Sequence, residues 1–84
     1  MKVQELEDKV WEQDNIRIVI RAHSQDKVDA YHHKNAAQGN WRITQFLGNR
    51  IKPLVKNKEV VVIEGNGKVV HGKKLLKSIR ESYN

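Results

Sequence analysis

The stretch Glu59 to Val70, E-V-V-V-I-E-G-N-G-K-V-V, constrains the fold more than any other part of the chain. Val60, Val61, Val62 and Ile63 form an unbroken β-branched run, too apolar to leave one face in water. Such a run predicts a strand covered on both sides, in the middle of a sheet. Asn66-Gly67 follows, and then Lys68-Val69-Val70. Asn and Gly both tolerate the φ > 0 that a type I′ turn demands, so the stretch predicts a β-hairpin.

The remaining segments are placed by how they would cover this hairpin. Val3, Leu6, Val10 and Trp11 keep helical spacing and predict an amphipathic helix over about 3–13, with Glu5 in its first turn suiting the helix dipole. Asp14-Asn15 ends it. Ile16, Ile18 and Ile20 alternate with Arg17, Val19 and Arg21, the pattern of a strand whose second face is half polar, hence an edge. Residues 22–40 carry few large apolar side chains and read as an irregular loop, functional or mobile, with a helical turn near 26–32 pointing Val28 and Tyr31 inward. A second helix is expected over 41–55 from Ile43, Phe46, Leu47, Ile51, Leu54 and Val55, with Asn40 or Thr44 as N-cap. Gly48 weakens it, Pro53 kinks or ends it, and Asn57 offers a left-handed cap. A last helix is expected over about 72–83 from Leu75, Leu76, Ile79 and Tyr83.

With 84 residues there is room for one domain, 1–84, and one modest core. The fold expected is α/β, with α+β as the alternative: a three-stranded mixed sheet packed with about three helices. Its strand–helix–strand unit places strands 15–21 and 59–64 parallel with a right-handed crossover, and the hairpin adds the third strand. The absence of cysteine excludes disulfides and thiolate metal sites. No apolar run approaches the roughly 18 residues of a membrane span, and the charged start lacks a signal-peptide core, so the expectation is a cytoplasmic protein.

The charge is unevenly distributed. Residues 1–49 hold seven Lys/Arg and seven Asp/Glu, whereas residues 50–84 hold nine Lys/Arg against Glu59, Glu64 and Glu81. The whole +6 excess therefore lies in the last 35 residues. This asymmetry points to an anionic partner, or else to a solubilising surface with none.

Three constellations bear on chemistry. Gly67 to Lys73 fits G-x-x-x-x-G-K between a strand and a helix, the form of a phosphate-binding loop. Lys74 stands where the Mg²⁺-holding Ser or Thr belongs, Val69 and Val70 suit a strand, and the chain is too short for the usual supporting sheet. A reduced version is retained, in which a helix starting at Gly72-Lys73-Lys74 offers N–H groups to an anion. Asp29, His32 and His33 are considered as a metal site and set aside, because adjacent histidines point apart and no partner pair is evident. No serine lies in a nucleophile context, and no carboxylate pair is placed for acid–base work. The expectation is thus a non-enzymatic module without cofactor or metal. It binds a polyanion, foremost nucleic-acid phosphates, through Lys68, Lys73, Lys74, Lys77 and Arg80, joined by Arg50, Lys52, Lys56 and Lys58 if they share a side. The alternative is a protein-interaction or regulatory adaptor that contacts its partner through the 22–40 loop or a sheet edge, forming a homodimer in one version.

Overall fold

The computed structural model describes residues 1–70 and 72–83. Helix α1, Val3–Asp14, is followed by strand β1, Arg17–Ile20. Helix α2 is one helical run assembled from Ile43–Phe46, a π-helical turn Leu47–Ile51, and Lys52–Val55. Strands β2, Val60–Ile63, and β3, Val69–Val70, precede helix α3, Leu76–Ser82. The molecule is a small α+β domain with a three-stranded sheet in the order β1-β2-β3. The valine run is the central strand, as its composition predicts.

The strand direction differs from expectation. β1 and β2 pair antiparallel, with Arg17 opposite Ile63 and Ile20 opposite Val60, so the sheet is antiparallel throughout rather than mixed. The reason lies in the 22–40 segment. The chain first returns to the start of α1, where Val3 N–H donates to Asp26 O and Val28 N–H to Met1 O. It then runs the length of α1 to reach Asp14, onto which Tyr31 and Ala37 bond. α2 comes back again, and Asp29 N–H meets Leu54 O near its end. This extra extended pass changes the parity of the connection. A helix alone would have returned the chain parallel.

Residues 22–40 are irregular, as expected, but form no helical turn at 26–32. Val28 and Tyr31 are buried as expected, and Asp14 holds the segment. Its carboxylate is fully buried and accepts from the Tyr31 hydroxyl, from Ala37 N–H at 2.7 Å and from Arg50 Nη1 at 2.9 Å. Arg50 Nη1 also donates to Asn35 O at 2.8 Å. A buried carboxylate is stable only when paired and hydrogen-bonded, and here both conditions are met.

The core lies on one face of the sheet, where Ile18, Ile20 and Val62 meet Leu6, Val10, Phe46, Ile51, Leu76 and Ile79. The expectation that β2 is covered on both sides holds for one side only. Val62 is buried, Val60, Val61 and Ile63 are half-buried, and on the outer face Val19 and Val69 are each 39% exposed. Three helices in so short a chain cover one face.

Several local details depart from the sequence pattern for identifiable reasons. Gly67 N–H bonds Glu64 O and Glu64 N–H bonds Lys68 O, with Gly67 at φ 83°. The hairpin therefore closes by a three-residue loop with a left-handed glycine, not by a type I′ turn at Asn66-Gly67. α2 begins at Ile43 behind Arg42, whose N–H is taken by Gln45 Oε1 at 2.9 Å, so neither Asn40 nor Thr44 is the N-cap. It passes through Pro53 with a π-helical turn just upstream, the widening that relieves the clash of a proline ring with the preceding turn. The helix closes with a positive φ at Lys56, at φ 57° and ψ −112°, rather than with a left-handed cap at Asn57. α3 begins four residues later than expected.

Tyr83 closes one end of the sheet. Arg21 N–H donates to Glu59 O at 2.8 Å, and antiparallel alternation turns the Val19 and Arg17 N–H groups toward β2 as well. At Arg17 the rung is relayed: its N–H donates to the Tyr83 hydroxyl at 2.9 Å, which donates onward to Ile63 O.

Candidate nucleic-acid interface

Two segments distant in sequence form the base of the basic surface. Residues 39–44 lie antiparallel to 72–77 through a bridge between Arg42 and Leu75. Each segment caps the helix that the other begins. Ile43 and Thr44 donate to the carbonyls of Lys74 and Gly72 at 3.0 and 3.1 Å, while Leu76 and Lys77 donate to those of Trp41 and Gly39 at 2.9 and 3.0 Å. The N-terminal N–H groups that helices leave unpartnered are thus satisfied by backbone. Gly72 permits the approach, since a Cβ there would lie 2.4 Å from Thr44 Cγ2.

The same arrangement recurs at α1. Val3 and Gln4 donate to Asp26 and Ser24, a bridge joins Lys2 to Lys27, and Lys2 N–H is taken by Glu5. The sequences K-V-Q-E-L and R-I-T-Q-F at 2–6 and 42–46 share the pattern: a basic cap, a β-branched residue, a polar residue, Glu or Gln, and a large apolar residue.

This capping overturns the reduced phosphate loop. A helix starting at Gly72-Lys73-Lys74 would have left N–H groups for an anion. The helix begins instead at Leu76, and its first donors are already bonded to Trp41 and Gly39.

The five cations selected from sequence meet different fates. Lys68, Lys73 and Lys77 are exposed, and none has a carboxylate partner among the described residues. Lys74 is paired with Glu64 at 3.3 Å on the hairpin side. Arg80 is half-buried and structural: its Nε donates to Asp14 O at 2.8 Å and its Nη2 to Ala37 O at 2.6 Å. Arg42, which the sequence reading did not select, joins the surface, exposed and donating from Nη1 to Lys73 O. Sequence alone offered no sign of this, because the contact spans 31 positions.

The remaining cations do not share that side. Arg50 is spent on Asp14. Lys56 and Lys58 lie at the far end of α2, where with Lys27 and Asp29 they line a separate cleft beside Leu54 and Val55. α2 at about 1.5 Å per residue is about 20 Å long, and that length separates the two basic groups. Lys52 is exposed between them.

The residues considered for a metal do not converge. The ring of His33 lies tilted against Tyr31 at 4.9 Å between centroids, and Asp29 is held through its backbone to Leu54. Among the described residues no group of three or more His, Cys, Asp or Glu is placed to hold a metal ion. Nor is any helix among them long and apolar enough to cross a membrane. Comparison with protein-family models, with curated proteins and with solved structures finds no match for this chain.

Proposed function

We propose that the protein is a small non-enzymatic module that binds nucleic-acid phosphates through Lys68, Lys73 and Lys77, joined by Arg42. The observation that carries this reading is the state of the charges. Sixteen Lys and Arg face ten Asp and Glu, yet among the described residues carboxylate partners fall only to Arg21, Arg50 and Lys74. Unneutralised neighbouring cations repel one another unless an anion joins them. A chain of phosphates supplies that anion, releasing its counterions as it binds.

A second reading, a protein-interaction module, is favoured by one observation. The outer sheet face presents Val19, Val61, Ile63 and Val69, Val19 and Val69 each 39% exposed, with no helix over it among the described residues. In that reading the contact is the face rather than an edge, since Glu7 Oε2 already accepts the outward N–H of Ile20 on β1 and β3 is only two residues long.

The two are separated by competition. Labelled duplex is titrated with this protein and with an unrelated protein of equal net charge. The first reading predicts binding by this protein at least about tenfold tighter, the margin expected when phosphates meet placed cations rather than diffuse charge. Equal binding would refute it.

A further inference from the structure

We infer that α2 is a recognition helix, which lays its exposed face in the major groove of duplex DNA and reads base edges through Gln45, Asn49 and Lys52. The inference rests on the phosphate-binding reading and adds to it the form of the nucleic acid and the residues that discriminate sequence.

The chemistry of the face is the first ground. No Asp or Glu occurs between Asp29 and Glu59, so α2 carries no acid. Its exposed positions Gln45, Asn49 and Lys52 are spaced four and three apart, one stripe along a helix, with exposed Arg42 and Lys56 flanking its two ends. Amides and cations are the side chains that pair with base edges in the major groove, Asn and Gln with adenine, Arg and Lys with guanine. The opposite stripe, Ile43, Phe46, Leu47, Ile51 and Val55, is buried, so the face is held rigidly. Gln45 is also oriented in advance, because its Oε1 accepts the Arg42 N–H and its amide NH₂ remains for an outside acceptor.

Gly48 is the second and independent ground. It sits exposed in mid-helix, where glycine is a poor helix former, and a Cβ there would meet nothing within 4 Å. Packing among the described residues therefore gives no reason for the missing side chain. Close approach of another molecule to the helix between Gln45 and Asn49 does.

Dimensions supply the third. A helix about 10–12 Å across fits a major groove about 12 Å wide, whereas the corresponding groove of A-form RNA is too narrow. Lys73 and Lys77 flank the start of α2, and Lys27 and Lys58 lie at its end. Lys73 and Lys77 at that start meet the phosphates that border the groove.

The test uses the whole chain. A random duplex library is selected for binding, and the winning sequence is compared with its scrambled version at fixed salt. A preference of at least about tenfold is expected, the worth of one or two good base contacts. Gln45→Ala with Asn49→Ala should reduce that preference to near unity and leave non-specific affinity and salt dependence unchanged, while the melting midpoint falls by only the few degrees that the lost Gln45 cap is worth. Lys73→Gln with Lys77→Gln should weaken winner and scramble equally. Salt-dependent binding with no sequence preference, or a preference that survives the Gln45 and Asn49 substitutions, would overturn base reading and leave phosphate binding intact. Tighter binding to single strands or to RNA duplex would overturn it too. Binding to no nucleic acid beyond that of a charge-matched control would instead defeat the phosphate-binding reading itself.

Discussion

Asp14 is the buried charged residue of the described chain, and it does more for the architecture than any lysine. Tyr31, Ala37 and Arg50 bond its carboxylate, and Arg80 bonds its carbonyl, so one residue ties α1 to the 22–40 segment, α2 and α3. Asp14→Asn would leave the Arg50 guanidinium, whose side chain is 12% exposed, without its counter-charge. Removing one member of such a pair costs about 3–5 kcal/mol, so the urea midpoint should fall sharply and amide protection in 22–40 should fall with it. A change within about 0.5 kcal/mol would show that the pair is not what holds the segment. Tyr31 adds a pH dependence. Burial, and after it the hydrogen bond to Asp14, raises the phenol above its ordinary pKa of about 10. The folded state then keeps a proton that the unfolded chain gives up. Stability is accordingly level below about pH 10 and declines above it. Thermal midpoints at about pH 8.5 and pH 11.5 check this, the second expected to be lower. Equal midpoints would contradict it.

At the scale of elements, the turn after α2 carries a local cost. Lys56 adopts φ 57° and ψ −112° as Lys58 N–H bonds Val55 O, a conformation that suits glycine and strains a residue with a Cβ. Lys56→Gly should raise stability by about 1 kcal/mol, measured by denaturant unfolding. A loss of stability would show that the lysine stem packs for more than its backbone costs. What could be read from the sequence follows from range of interaction. α1 and the central valine strand rest on local periodicity, and these the pattern predicts; Val28 and Tyr31 turn inward as expected, but without the expected helical turn. Strand direction depends on the number of passes the chain makes between β1 and β2, and a polar extended pass has no periodic signature. Asp14 resembles any solvated acid at a helix end, because its four partners lie 17 to 66 positions away. The same distance effect turned Arg80, selected as a surface cation, into a structural one and left Arg42 unnoticed.

At the scale of the molecule, a body of about 30 × 26 × 20 Å covers one sheet face with three helices and leaves cations on its surface. Lys68, Lys73 and Lys77 contribute little to holding the fold, since solvated charges rarely do. Lys73 and Lys77, on a base stiffened by reciprocal helix capping, and Lys68 on the neighbouring hairpin are what the proposed function uses. The most direct measurement is the salt dependence of duplex binding for the unaltered protein and for the triple variant Lys68→Gln, Lys73→Gln, Lys77→Gln. Four phosphates neutralised by Arg42, Lys68, Lys73 and Lys77 predict a slope of log K against log[salt] of about −3.5, and the triple variant should retain about −1. Its melting midpoint should stay within about 2 °C of the parent, so that lost binding is not lost fold. A slope near −3.5 that flattens in the variant is the predicted result; a slope that the three substitutions leave unchanged would contradict the account.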